Sequence, residues 1–217
     1  MIELDTPHGT ARVHLHPVGA PVAALVLGHG AGGGVESPDL VGAMDAARSA
    51  GLSVALVEQP YRVAGRRSPA PAHQLDEAWT AVVSQLREGQ LSGLPLVAGG
   101  RSAGARVACR TAAELGAAAV LCLAFPVHPP GKGDDPAKSR LPELDAVQVP
   151  TLVVQGERDP FGRPSEGPSR TVVQIPGTHS LRSAATVAAA VSGWLEALVP
   201  ELTRSPAGAG PRTRRPG

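Results

Sequence analysis

Aromatic side chains are nearly missing from this chain: phenylalanine, tyrosine and tryptophan together make up 2% of its 217 residues. A core must therefore be built from valine, leucine and alanine, within a hydrophobic share of 42%. An excess of one charge is missing too, because 20 basic side chains stand against 19 acidic ones. A net charge of +1 gives no electrostatic reason to expect nucleic acid or a charged membrane surface as a partner. Only two cysteines occur, Cys109 and Cys122, without metal-ligand spacing. They read as small buried hydrophobes, which excludes a disulfide framework and implies no metal or other cofactor. No apolar run reaches the ~20 residues of a bilayer span. Met1 to Gly9 lacks the basic and apolar regions of a secretion signal. The expectation is a soluble cytoplasmic protein with one domain, residues 1–202, and a disordered basic tail at 203–217.

What is present is an alternation. Apolar runs at 22–27, 53–58, 95–99, 118–124 and 150–155 alternate with helix-like stretches at about 38–50, 72–88, 103–115 and 181–198. Strands of that kind are buried on both faces, so the fold class is α/β, with a mostly parallel sheet covered by helices. Ahead of them, Ile2–Leu4 and Ala11–His16 flank a turn and suggest an antiparallel hairpin, with His14 and His16 on its solvated phase. Ser37-Pro38 offers cap and first-turn chemistry to a helix that Gly51 closes. A short helix is expected at 141–147, a further strand at 171–175, and the last helix ends at Pro200. The connection 125–140 is rich in proline and glycine and is too short for a lid domain.

Four motifs stand at strand ends. Gly100-Arg101-Ser102-Ala103-Gly104 lies between a strand and a helix, the setting of a nucleophile elbow. Such a turn lifts the serine hydroxyl off the backbone, and Cβ atoms on its flanking glycines would clash with neighbouring elements. Asp159 and then His179 each follow a later strand. Serine, aspartate, histidine is the chain order of α/β-hydrolases, unlike other serine-hydrolase folds. A serine hydroxyl is a poor nucleophile at neutral pH and needs a base; an imidazole serves, and a carboxylate fixes its tautomer. Upstream, Gly28-His29-Gly30-Ala31-Gly32-Gly33-Gly34 follows the first buried strand. It can offer an oxyanion-binding amide from Ala31 or Gly30, partnered by the amide of Ala103. The loop lacks the Gly-Lys-Ser/Thr ending of a phosphate-binding loop.

Each motif also has a plainer reading. Ser102 alone could cap a helix, Asp159-Pro160 could be a turn, and a lone His179 could sit in a surface loop. All four in order favour nucleophilic catalysis. Candidate pocket residues are His29, Tyr61, Arg62, Arg101, Phe125, His128 and Phe161, with His29 equally placed to orient the glycine loop. The cations Arg62, Arg66, Arg67, Lys132 and Arg101 would suit a substrate carrying carboxylate or phosphate. Ordinary solvated charge is the plainer account of them.

The elbow, the H-G-x-G-G loop, the acid and the late histidine resemble the α/β-hydrolase superfamily, in its small lidless branch near the dienelactone hydrolases. The stretches Gly99–Arg106, Pro60–Arg67, Phe125–Lys132 and Gln155–Gly162 are similar to a bacterial group of hydrolases. That group is related to the hydrolase-like domains of a testis-expressed protein and of a nonspecific-lethal chromatin-complex subunit. The resemblance runs from about residue 10 to 200 and implies Ser102, Asp159 and His179 as a triad on the α/β-hydrolase fold. Dienelactone hydrolases carry cysteine where this chain has Ser102, and 163–170 lacks a helix usual in relatives. The expected function is a serine esterase or thioesterase acting through an acyl-enzyme on a small soluble ester. The alternatives are a non-catalytic hydrolase-like binding module, or an acyltransferase or peptidase on the same three residues. The sequence carries no signal for an oligomeric state.

Overall fold

Two short strands whose residues alternate in exposure open the chain, β1 (Ile2–Thr6) and β2 (Gly9–His16), paired antiparallel. The computed structural model describes residues 1–204; from 205 onward the expected tail lies outside the described residues. Five strands follow that are buried almost throughout: β3 (Ala23–Gly28), β4 (Leu52–Glu58), β5 (Leu96–Arg101), β6 (Ala119–Leu123) and β7 (Thr151–Gly156). With β8 (Arg170–Ile175) they form one eight-stranded sheet in the order β1-β2-β4-β3-β5-β6-β7-β8. Pairing is antiparallel between β2 and β4 and parallel from β4 onward.

Among the described residues the α-helices are α1 (Pro38–Ser49), α2 (Pro60–Val63), α3 (Ala72–Glu88), α4 (Ala103–Thr111), α5 (Leu141–Asp145) and α6 (Ala184–Arg204). Side chains alternate across the strands, so consecutive residues feed two separate cores. Val26, Ala98, Val120 and Val153 point toward α3, α4 and α5, where Trp79 and Phe125 pack. Leu27, Val97, Leu121 and Val154 point toward α1 and α6. Fully burying one such leucine or valine stabilises by about 1.5–3 kcal/mol, so a mostly aliphatic set of residues can hold both layers. The α1 and α6 backbones touch, and a Cβ on Gly42 would run into the Ala184 carbonyl.

Because β3 lies between β4 and β5, the chain changes winding direction there. Open α/β sheets bind ligands outside the carboxyl ends of strands at such a point. The glycine loop leaves β3 and the elbow leaves β5, so both meet in that crevice.

Several boundaries differ from expectation. Ser37 precedes α1 with extended dihedrals, but its hydroxyl makes no cap bond and is buried without a partner. Pro38 at the first turn suffices to start the helix. Residues 60–63 form the short helix α2, again begun by a proline. Helix α4 ends at Thr111, before the expected 115. Helix α6 continues through Pro200 to Arg204, so 203 and 204 belong to a helix and not to the tail. Pro200 costs one backbone bond, but Leu202 beyond it is buried in the core and keeps the helix going. The Thr203 hydroxyl donates to the Val199 carbonyl at 3.2 Å, satisfying a terminal acceptor. By length and composition α6 could cross a membrane, contrary to the sequence expectation. Here its Val187, Val191, Leu195 and Leu198 row packs into the second core. His14 and His16 are half-buried and not fully solvated. Between β6 and β7 lie only a 3₁₀ turn at Pro136–Lys138 and α5, with no lid domain.

Candidate active site

Ser102 sits at the junction of β5 and α4 with φ 52° and ψ −105°. A left-handed φ is costly for a non-glycine residue and survives only where surroundings over-determine it. They do so here. The Ser102 amide donates to the Leu123 carbonyl at 2.9 Å. A Cβ on Gly100 would come within 2.6 Å of the Gly28 carbonyl oxygen, and one on Gly104 would strike the same carbonyl group. The elbow is thus pressed against the end of β3, as the two flanking glycines imply.

Asp159 and His179 arrive from the ends of β7 and β8. His179 Nε2 lies 2.9 Å from Ser102 Oγ, and His179 Nδ1 lies 2.8 Å from Asp159 Oδ2. The Asp159 side chain has no exposure and that of His179 has 13%. The aspartate already accepts from the Phe161 amide on Oδ1 and from the Gln155 amide group on Oδ2, each at 2.8 Å. Placed among donors, it is the acceptor toward the imidazole, so Nδ1 carries the proton and Nε2 faces the serine hydroxyl with its lone pair. A hydroxyl, a base and an orienting carboxylate arranged this way can pass a proton from oxygen to nitrogen as the oxygen attacks.

The glycine loop is held by its carbonyls. His29 is buried; its Nε2 accepts from the Gln59 amide at 3.1 Å, so Nδ1 donates to the Gly30 carbonyl at 2.8 Å. Burial pushes the His29 pKa down, with a smaller push from the nearby Arg62 charge. Tyr61 donates its hydroxyl to the Ala31 carbonyl at 2.9 Å. Burial raises its phenol to about 12, which keeps it a neutral donor. Among the described residues the Ala31 amide makes no hydrogen bond to backbone. Ala103 is the first residue of α4, where amides lack intrahelical partners.

The remaining candidate residues separate into distinct places. Arg101, Gly30 and Ala31's neighbour Gly32 border a cavity of about 540 Å³ with Ser180 and Arg182. Phe161 lies against the His179 ring, with centroids 4.1 Å apart. Phe125 is not a pocket residue: it is wholly buried in the first core, because its strand end is covered by α4 and α5. His128 packs its ring against Gly162 in the Asp159 loop and binds the Pro129 carbonyl at 2.8 Å, so it supports that loop from behind. His29 and Tyr61 brace the glycine loop, and Arg62 sits half-buried beside them on α2. A larger groove of about 770 Å³ lies at the opposite sheet edge, near Pro95, Ala118 and Pro150, where the strands begin. It shares no residue with the Ser102 cluster.

Two residues of the site escaped the sequence reading. Gln155 is fully buried, and the two N–H groups of its amide are shared among Asp159, the Phe125 carbonyl and the Gly162 carbonyl. Its signal was a lone amide ending an otherwise apolar strand. Asp39, buried in the first turn of α1, binds Arg101 Nε at 3.3 Å. Nothing in its local sequence marks it.

A family model described as "Alpha/beta hydrolase domain" matches residues 21–184. The chain belongs to that family. Its sheet order, antiparallel opening pair and lidless β6–β7 connection are those of an α/β-hydrolase. Solved structures agree in fold. A serine hydrolase without lid from Xanthomonas campestris is 22% identical over 92% of this chain and 94% of its own, with a TM-score of 0.73. A dienelactone hydrolase from Anabaena variabilis is 19% identical over 90% and 95%, with a TM-score of 0.71. Est1E from Butyrivibrio proteoclasticus is 16% identical over 92% and 98%, also at 0.71. No match was found among curated proteins. These solved structures share the fold that the family model assigns to the chain.

Proposed function

We propose that this α/β-hydrolase is a serine hydrolase that cleaves small soluble esters or thioesters through an acyl-enzyme. The observation that carries the reading is the continuous line from Ser102 Oγ through the His179 ring to the buried Asp159 carboxylate. Ser102 Oγ attacks the carbonyl carbon while His179 Nε2 takes its proton. The carbonyl π pair moves to oxygen, and that oxyanion rests on the amides of Ala103 and Ala31, with Gly30 beside them. Each such donor is worth about 3–4 kcal/mol of barrier. The intermediate collapses, the leaving alkoxide or thiolate takes the proton from His179, and the acyl group stays on Ser102. Water then attacks the acyl carbon and gives a proton to His179 Nε2; the second intermediate collapses by breaking the bond to Ser102 Oγ, which takes that proton back from His179 as the acid leaves. Asp159 stabilises the imidazolium in both halves.

The short connection after β6, which holds only a 3₁₀ turn and α5, supports a soluble substrate, because lipases that work at interfaces normally cover an apolar groove with a lid there. A cytoplasmic site of action belongs to the same reading. The four sequence stretches quoted above support kinship with the bacterial hydrolases related to the testis-expressed domain. Turnover of p-nitrophenyl acetate tests the function. The wild-type chain should hydrolyse it with a burst of nitrophenol, and Ser102→Ala should not. Wild-type protein that is folded yet inert toward short esters and thioesters would favour a non-catalytic binding module.

A further inference from the structure

We propose that Arg101 is a positioning residue that, clamped by Asp39, holds His179 against Ser102. The inference rests on the serine-hydrolase reading and extends it to a residue outside the reacting line.

Arg101 ends β5 and directly precedes Ser102. Its side chain reaches three separate pieces of the site. Nε donates to the Asp39 carboxylate in the first turn of α1 at 3.3 Å. Nη2 donates to the backbone carbonyl of His179 at 3.2 Å. Its Cδ and Nη1 lie over Gly30, where a Cβ would come within 2.9 and 2.6 Å of them. One guanidinium therefore joins the elbow strand, α1, the glycine loop and the backbone that carries the imidazole.

Leu181 anchors the His179 loop in the second core, but its backbone is held by few hydrogen bonds. Among the described residues, the bond from Arg101 is the one backbone hydrogen bond made between Thr178 and Arg182. The loop is next tied at Gly177, through the Arg158 amide, and at Ser183, where α6 begins. The Asp39 side chain is 3% exposed, and a buried carboxylate is stable only with a partner. Its other oxygen accepts from the Leu40 amide at 2.9 Å, which fixes the carboxylate in turn. With Nε pinned by Asp39, the planar fork can only aim Nη2 outward, toward His179. A lysine is a point charge and cannot bridge two acceptors in this fixed geometry. The tie to Asp39 also occupies the charge of Arg101, so the residue is a strut at the cavity edge and not a free anion-binding group.

Displacing a catalytic group by about 1 Å can cost about 10²-fold in rate. The experiment uses full-length wild-type protein, Arg101→Lys and Asp39→Asn, with folding checked by thermal melting. Steady-state hydrolysis of p-nitrophenyl acetate is paired with proton NMR of the far-downfield imidazole N–H between His179 and Asp159. Folded variants should lose about 10–100-fold in kcat with KM nearly constant, and the resonance should broaden or move. Variants with unchanged kcat and an unchanged resonance would overturn the proposal. So would failure of both to fold, which would make the pair a purely structural ion pair. If wild-type protein turns over no ester, the serine-hydrolase reading fails by itself. The NMR comparison then still decides the clamp: a shifted resonance supports it and an unshifted one removes it.

Discussion

Phe161 is stacked on His179, with ring centroids 4.1 Å apart and planes inclined by 31°. The same residue donates its amide to Asp159 Oδ1 at 2.8 Å. It thus holds the carboxylate through the backbone and the imidazole through the ring. Phe161→Ala removes only the second hold. Ring pairs of this kind are worth about 0.5–1.5 kcal/mol beyond buried area. Expressed wholly in the barrier, that predicts a kcat about 2–12-fold lower on p-nitrophenyl acetate. A kcat equal to wild type would show that the ring does not hold the imidazole.

Gln155 supports the other end of the line. Gln155→Leu keeps the volume but leaves Asp159 Oδ2, the Phe125 carbonyl and the Gly162 carbonyl short of a donor. A buried acceptor left unpaired costs about 1–3 kcal/mol. The urea midpoint should fall by the equivalent amount, and kcat should fall with it because Asp159 loses an anchor. Unchanged stability would mean that water replaces the amide at no cost.

Tyr61→Phe deletes the bond to the Ala31 carbonyl without touching Ser102 or His179. The expected result is a several-fold lower kcat/KM, about the effect of one neutral hydrogen bond near 1 kcal/mol. Binding of a boronic acid, which mimics the tetrahedral intermediate, should weaken in parallel. If both quantities match wild type, the hydroxyl does not set the loop.

Acid should destabilise the fold through His29. Burial lowers its folded pKa below the ordinary value near 6.5, so the unfolded chain binds the proton more readily. Stability from this group is present above about pH 6.5 and is lost as pH falls toward the folded value. His16, lowered chiefly by burial with help from Arg48, acts in the same direction. Urea midpoints compared between about pH 7 and about pH 5 should drop less in His29→Gln than in wild type. Equal drops would place the acid sensitivity elsewhere.

The parts of this fold that were legible in the sequence are those governed by local pattern. Helix α3 spans 72–88 as its buried row of Leu75, Ala78, Val82 and Leu86 implies, and the continuous apolar runs became the parallel strands. Ser102, Asp159 and His179 stood out because a strand end is where a parallel sheet displays side chains, and the structure brings them together. The residues that tie those loops down were not legible. Asp39 and Arg101 are 62 positions apart, and Gln155 looks like one more strand residue until its three acceptors are seen. Phe125 was misplaced because position after a strand says nothing of which helix lies over it. Pro200 was read as a stop, although burial of Leu202 outweighs one missing bond.

The most direct measurement is labelling with a fluorophosphonate followed by mass spectrometry of the tryptic peptides. A single adduct is expected, on Ser102, absent in Ser102→Ala and formed far more slowly in His179→Ala. Folded wild-type protein that takes up no probe, or label that persists in Ser102→Ala, would contradict it.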